Sequence, residues 1–305
     1  MQLIITNPLV NSNIDVKVFT FSGGEVHVKI NADVALGLCS AYDKNVIHVI
    51  QDIRSAADLM AVVMVKDALD ELFRFNSNVD IRLVSLYVPY ARQDRYCEEG
   101  EAFGVKAFAR ILNSLNFNRV IVADPHSDVT PALINNLMVI SQEVIAVHML
   151  GWKLRMEDFM LVSPDGGALK KIFKLATPMA LDVVCAEKIR DTRTGKVVRT
   201  EVPRQDFEGR NVMIVDDICD GGRTFIELAK VLRQRNVGKV ELYVTHGIFS
   251  NGMDELMSYF DCIHSFNVWE NNVDLKTEAW NNTVLVRNQK EVQEQILGLK
   301  LEKGE

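Results

Sequence analysis

A short apolar run that ends abruptly in a polar, often acidic loop recurs along the whole of this chain, usually with an amphipathic segment behind it. Residues 45–50 run into 51–55, residues 81–88 into 89–95, residues 120–123 into 124–128, and residues 160–162 into 163–167. Residues 181–185 stop near Glu187-Lys188, residues 212–215 at Asp216-Asp217, and residues 240–244 at Thr245-His246-Gly247. Between these loops, residues 55–73, 104–116, 168–176, 224–235 and 291–299 space their apolar side chains as helices do. Strand, loop, helix and strand in repetition predict an α/β fold with parallel strands and crossover helices, in doubly wound sheets. The strands are apolar without alternation, which fits sheets covered on both faces. Residues 16–21 and 26–30 are different: they alternate strictly around Ser22-Gly23-Gly24-Glu25. They predict an N-terminal antiparallel β-hairpin.

A chain of 305 residues suggests two domains at about 150 residues each. The expected boundary lies near residue 141, giving 1–141 and 142–305, although no Pro/Gly/Ser-rich linker marks it. The 34 basic and 41 acidic residues leave a net charge of −7, which argues against nucleic-acid or anionic-membrane partners. No apolar run approaches the ~20 residues of a membrane helix. The N-terminal residues lack a basic flank and long apolar core, and the five cysteines never form CxxC, so a cytoplasmic chain without disulfides or structural zinc is expected.

Ligands of doubly wound folds bind at the carboxyl ends of parallel strands, where all these polar loops lie. The most informative loop is the stretch 212–224, in which an apolar strand meets Asp216-Asp217 and then Asp220-Gly221-Gly222-Arg223-Thr224 before a helix. Backbone N–H groups of such a loop, together with the helix N-terminus, cradle phosphate. The two carboxylates would repel phosphate, so they suit sugar hydroxyls or a magnesium-held group. A phosphorylated sugar needs both features. For this loop taken alone, a solvated strand end with a helix cap serves equally well.

The loop resembles the 5-phosphoribosyl 1-pyrophosphate (PRPP) binding motif of type I phosphoribosyltransferases and of ribose-phosphate pyrophosphokinases. Five other segments favour the second family: Phe21-Ser22-Gly23-Gly24-Glu25, Pro89-Tyr90-Ala91-Arg92-Gln93-Asp94-Arg95, Asp124-Pro125-His126, Ser163-Pro164-Asp165-Gly166-Gly167 and Thr245-His246-Gly247. They stand in the family's order and cover nearly the whole chain. The resemblance implies two domains of type I phosphoribosyltransferase-like architecture, with a C-terminal helix packing on the first. It implies transfer of the β,γ-diphosphoryl group of ATP to the C1 hydroxyl of ribose 5-phosphate, giving PRPP and AMP. The alternatives are a phosphoribosyltransferase that consumes PRPP and a catalytically inactive regulatory homologue.

Carried over position by position, the resemblance puts Phe21, Glu25, Arg92, Gln93 and Asp94 at ATP. Asp216, Asp217, Asp220, Gly221, Gly222, Arg223 and Thr224 would take ribose 5-phosphate, and Asp165, Gly166 and Gly167 the pyrophosphate. His126 and Asp165 would hold Mg²⁺. Lys188 and Arg190 would be catalytic, at the root of a polar stretch, residues 191–210, that also carries Arg193, Lys196, Arg199 and Arg204. A loop of that length is usually a lid or disordered. The hairpin tip would complete a neighbour's ATP site in a homo-oligomer, a dimer or hexamer.

Four departures stand out. Gly23 replaces the family's adenine-reading Asp, which predicts relaxed nucleotide selectivity. Gly221-Gly222-Arg223-Thr224 rearranges the phosphate loop, and Ile189 stands where the flap has a middle basic residue. Residues 96–103, with Glu98, Glu99 and Glu101, replace a basic loop at which phosphate activates and ADP inhibits in the family.

Overall fold

The computed structural model describes residues 2–6, 12–39, 42–190, 197–269 and 284–285. Two compact units meet at the Ile140–Ser141 step. The segments 270–283 and 286–305 lie outside the described residues, and with them the expected C-terminal helix.

The first unit runs β1 (Gln2–Thr6), β2 (Val16–Thr20), β3 (Val26–Ile30), α1 (Ala32–Leu38), β4 (Asn45–Ile50), α2 (Ala56–Leu72), β5 (Val79–Val84), α3 (Gly104–Ser114), β6 (Arg119–Ala123), α4 (Val129–Leu133) and β7 (Leu137–Ile140). β1, β4, β5, β6 and β7 form one parallel sheet in that order. Ser55 starts α2 as expected of a cap: its Oγ accepts from Asp58 N at 3.1 Å, a bond worth about 1 kcal/mol. Val62, Val65 and Leu69 of α2 and Val105, Phe108 and Leu112 of α3 bury themselves with Ile47, Leu83 and Val122 of the sheet.

β2 and β3 pair antiparallel from Val16↔Ile30 to Thr20↔Val26. Val28 is buried, but Phe19 and Phe21 are 43% and 53% exposed. Only one face of a two-stranded ribbon meets the unit, and its tip carries an uncovered aromatic cluster. Phe19 and Phe21 stand edge to face at 5.1 Å, with His27 against both.

The second unit runs α5 (Gln142–Met156), β8 (Phe159–Ser163), α6 (Leu169–Ala176), β9 (Val183–Cys185), β10 (Glu187–Arg190), β11 (Val197–Glu201), β12 (Asn211–Cys219), α7 (Arg223–Arg233), β13 (Val240–Gly247), α8 (Asp254–Met257), β14 (Cys262–Val268) and β15 (Val284–Leu285). Its parallel sheet has the order β15-β14-β13-β12-β8-β9. From β8 the chain crosses through α6 to β9 on one side. From β12 it crosses through α7 to β13 on the other. The winding direction therefore reverses between neighbouring strands β8 and β12, the kind of crevice in which open α/β sheets bind ligands.

Two strand ends differ from the sequence expectation. β12 continues through Asp216 and Asp217 to Cys219, and β13 through Thr245 and His246 to Gly247. Each extends because the other's backbone is in register, Ile218↔His246 and Cys219↔Gly247, so the polar residues are laddered like the apolar ones. Within the stretch 191–210, residues 197–201 form a strand where a loop was expected. β10 and β11 form an antiparallel ribbon, Glu187↔Glu201 to Arg190↔Val197, with a register shift between Ile189 and Arg190. Arg193 and Lys196 lie outside the described residues.

Candidate active site

The crevice of the second unit is built by three loops. After β8, the Ser163 hydroxyl donates to Asp165 O at 2.6 Å, and Asp165 Oδ1 accepts from Gly167 N at 3.0 Å and Ala168 N at 3.3 Å. This turn is closed by its own side chains. A Cβ on Gly166 would meet open space, so its backbone is accessible to a ligand.

On β12, Asp217 is buried and Asp216 half-buried. Asp217 N donates to Asp216 Oδ1 at 2.9 Å, and buried Gln142 donates its Nε2 to Asp216 O at 2.9 Å. Burial, then the neighbouring charge of Asp217, push the Asp216 carboxyl well above the ordinary carboxylate range, with Asp165 adding to the shift. Lys171 Nζ, from α6, lies 3.4 Å from Asp217 Oδ2. Asp165, Asp216 and Asp217 thus share one electrostatic neighbourhood.

The phosphate loop follows. Gly222 caps α7 in the left-handed region at φ 78°, and its missing Cβ gives room to the Leu256 side chain. Arg223 and Thr224, both exposed, begin the helix, so the helix opens one residue earlier than expected. The loop after β13 clamps it: Ser250 Oγ donates to Asp220 Oδ1 at 2.7 Å, Asn251 Nδ2 to Gly221 O at 3.2 Å, and Ile248 N to Cys219 O at 2.8 Å.

Gly247 makes that clamp possible. A Cβ there would lie 2.1 Å from Cε2 of Phe249, whose ring is completely buried. Gly247→Ala should therefore cost about 1–3 kcal/mol by overpacking. Thermal unfolding should show Tm lower by roughly 2–12 °C, and Gly247→Ala with Phe249→Leu should recover part of the loss. A Gly247→Ala protein as stable as wild type would contradict the close-approach account.

In the first unit, Arg92 and Gln93 are exposed, whereas Asp94 is buried. Asp94 accepts from Arg95 Nε at 2.8 Å. That bond, with further lowering from Ser127 and from the charge of His126, holds the Asp94 carboxyl below its usual range. Asp94 therefore joins its own loop to the Asp124-Pro125-His126 loop. Glu25 is exposed beside Gly23, and its Oε2 lies 2.5 Å from where a Cβ of residue 23 would stand. Lys188 and Arg190 lie on β10, whose root is tied to β8 by Ala186 N donating to Ser163 O at 2.8 Å.

Lys171, Gln142, Ser250 and Asn251 escaped the sequence reading. A basic pair, Lys170-Lys171, within the first turn behind a Gly-Gly loop was the signal available for the first of these. The other three act through backbone or carboxylate contacts that no motif announces.

Residues 140–280 match the model of the phosphoribosyl transferase domain. The ribose-phosphate pyrophosphokinase of Pyrococcus abyssi is 30% identical over 252 residues, covering 80% of each chain. That of Aquifex aeolicus is 30% identical over 77% of this chain and 72% of its own. The crystal structure of phosphoribosylpyrophosphate synthetase from Mycobacterium smegmatis shares the fold, with TM-score 0.69 at 18% identity over 87% of this chain and 88% of that one.

Proposed function

Because this chain belongs to the ribose-phosphate pyrophosphokinase family, we propose that it moves the β,γ-diphosphoryl group of ATP to the C1 hydroxyl of ribose 5-phosphate, releasing AMP and forming PRPP. One arrangement carries the reading: a carboxylate pair on β12 and the N-terminus of α7 behind it, beside an open Gly-Gly turn after β8, at the reversal of the sheet. A transferase that consumes PRPP needs those loops too, but not the Arg92 and His126 loops or the hairpin of the first unit. The test is whether AMP leaves ATP only when ribose 5-phosphate is present.

In this reading Asp217, with the Lys171 ammonium 3.4 Å away, accepts from a ribose hydroxyl, and Asp216 takes the other directly or through a metal. Asp220, Gly221, Gly222, Arg223 and Thr224 hold the 5-phosphate by backbone amides, the Thr hydroxyl and the Arg cation. Asp165, Gly166 and Gly167 admit the pyrophosphate. Arg92 lies against adenine or phosphates, with Gln93 and Asp94 supporting its loop. Lys188 and Arg190 offset the charge that develops on the transferred group and the leaving AMP.

The crowded carboxylates of the second unit fit Mg²⁺. Asp216 is driven to keep its proton by burial and two like charges, and a hard divalent ion accepts oxygen ligands of this kind. Asp165 would be such a ligand. His126, in the first unit, is a metal ligand by the resemblance alone, and nitrogen is an uncommon donor for so hard an ion. The ion would neutralise phosphate oxygens as the bridging bond breaks. The hairpin tip, with Phe21 and Glu25, would serve the ATP site of a neighbouring subunit in a homo-oligomer. Its uncovered aromatic rings support that reading.

The loop at residues 96–103 bears on regulation. Glu101 Oε2 accepts from Cys97 N at 3.2 Å and Glu98 N at 3.3 Å, so a carboxylate of the chain already fills the amides an anion would use. Each further carboxylate, Glu98 and Glu99 among them, would oppose a bound phosphate by roughly 1 kcal/mol at short range. Initial rates should therefore be independent of added phosphate, and ADP inhibition should vanish at saturating ATP. A strong phosphate requirement, or ADP inhibition that ATP does not relieve, would contradict this.

A further inference from the structure

The sheet face that α5 covers carries a second cluster, at the opposite end of the strands from the crevice. Glu241 is the second residue of β13 and stands directly across from Cys262, the first residue of β14. His264 is two residues further along, on the same face. A donor atom from each of the three lies within 4.8 Å of the others. They are 1%, 8% and 0% exposed. Glu241 pairs with Met213 on β12, three residues before Asp216, so roughly 10 Å of strand separates the cluster from the acid pair.

We propose that Glu241, Cys262 and His264 bind a borderline-soft divalent ion of the Zn²⁺ type, distinct from the magnesium of the reaction. The donor set is the first reason. Sulfur, imidazole nitrogen and carboxylate oxygen together suit zinc, whereas magnesium takes oxygen. The second is that the metal-free cluster is incomplete. His264 Nε2 meets Glu241 Oε2 at 2.7 Å, yet His264 Nδ1 is buried with no hydrogen-bond partner. A sheet core needs none of these groups, and burying ionisable ones costs several kcal/mol each unless something compensates.

Lys153 of α5 is that compensation while the ion is absent, its Nζ 3.0 Å from Glu241 Oε1. It is not committed to the task. The same ammonium lies 3.3 Å from Glu157, one turn further along its own helix. An entering ion takes over neutralisation of Glu241, Lys153 stays with Glu157, and the Cys262 thiol gives up one proton to solvent as its sulfur binds. The partly exposed Lys153 side chain marks a route in from solvent. Placed at the amino ends of the strands, the ion would staple β13 to β14 and stabilise the unit without touching substrate.

The test is titration of the chelator-treated full chain with Co²⁺ in excess Mg²⁺, read by the thiolate-to-cobalt absorption band. One equivalent should bind, Zn²⁺ should displace it, and Zn²⁺ should raise Tm. Cys262→Ser should abolish the band, and His264→Gln should weaken binding at least about tenfold. Cys97→Ser and Cys185→Ser should leave it unchanged. Lys153→Met, which removes the competing ammonium, should tighten Co²⁺ binding severalfold, and this variant decides the matter should Cys262→Ser fail to fold. No band in the wild type, a band surviving Cys262→Ser, or weaker binding by Lys153→Met would overturn the proposal.

Discussion

Lys188→Ala should turn over about two to four decades more slowly than wild type while binding ATP nearly as tightly. A cation that acts on charge appearing only during transfer changes kcat far more than ground-state affinity. The backbone supplies the mechanical basis. Ala186 and Val202, at the two roots of the ribbon, are buried in the core of the second unit. Ala186 N is bonded to Ser163 O, two residues before Asp165. Lys188 therefore starts two residues from an anchor shared with the proposed pyrophosphate turn, at a fixed root. Single-turnover rates and ATP titration separate the two effects. An unchanged kcat would remove Lys188 from the mechanism, and an equal loss in ATP affinity would make it a ground-state contact.

Asp216→Asn should cost at least about two decades in kcat, yet raise the Tm of the metal-free protein at neutral pH. The sign follows from the raised pKa of Asp216. The folded chain keeps this proton at pH values where the unfolded chain, with an ordinary Asp near ~3.9, has lost it. Stability from this group is therefore fully present below the unfolded pKa and falls as pH rises through the folded one. Asparagine cannot ionise and escapes that penalty. The gain should be at least ~2 °C, the shift expected of about 1 kcal/mol in a chain of this size, and it should shrink as the pH is lowered toward 4. Mg²⁺ should stabilise the wild type more than the variant. An Asp216→Asn protein less stable at every pH would show that the carboxylate is not strained.

Much of the fold was written in the apolar runs, because parallel strands covered on both faces need no alternation and stop where their polar loops begin. Asn45–Ile50 was legible to the residue. The exceptions are physical. Asp216, Asp217, Thr245 and His246 look like loop residues, yet they extend their strands because backbone pairing with a neighbour outweighs side-chain polarity. Among the elements missed are β1, α1 and the β10–β11 ribbon. β1 and α1 are short, and the polar, weakly periodic sequence of the ribbon is paired only with itself. The phosphate loop and acid pair could be read as chemistry because anion cradles and carboxylates have compositional signatures. Lys171 reaches Asp217 across 46 positions in the chain, and Ser250 reaches Asp220 across 30. Contacts of that kind belong to the winding of the sheet and leave no local mark.

A chain that activates ribose 5-phosphate with a diphosphoryl group releases AMP from ATP only when the sugar is present. The direct measurement is the initial rate of AMP formation from ATP in the presence of Mg²⁺, with and without ribose 5-phosphate, with the phosphorylated product followed alongside. AMP and PRPP should form in equal amounts, strictly dependent on ribose 5-phosphate, and both should be lost in Asp217→Ala. ADP as the product, AMP released at the same rate without the sugar, or PRPP consumed rather than made would contradict it.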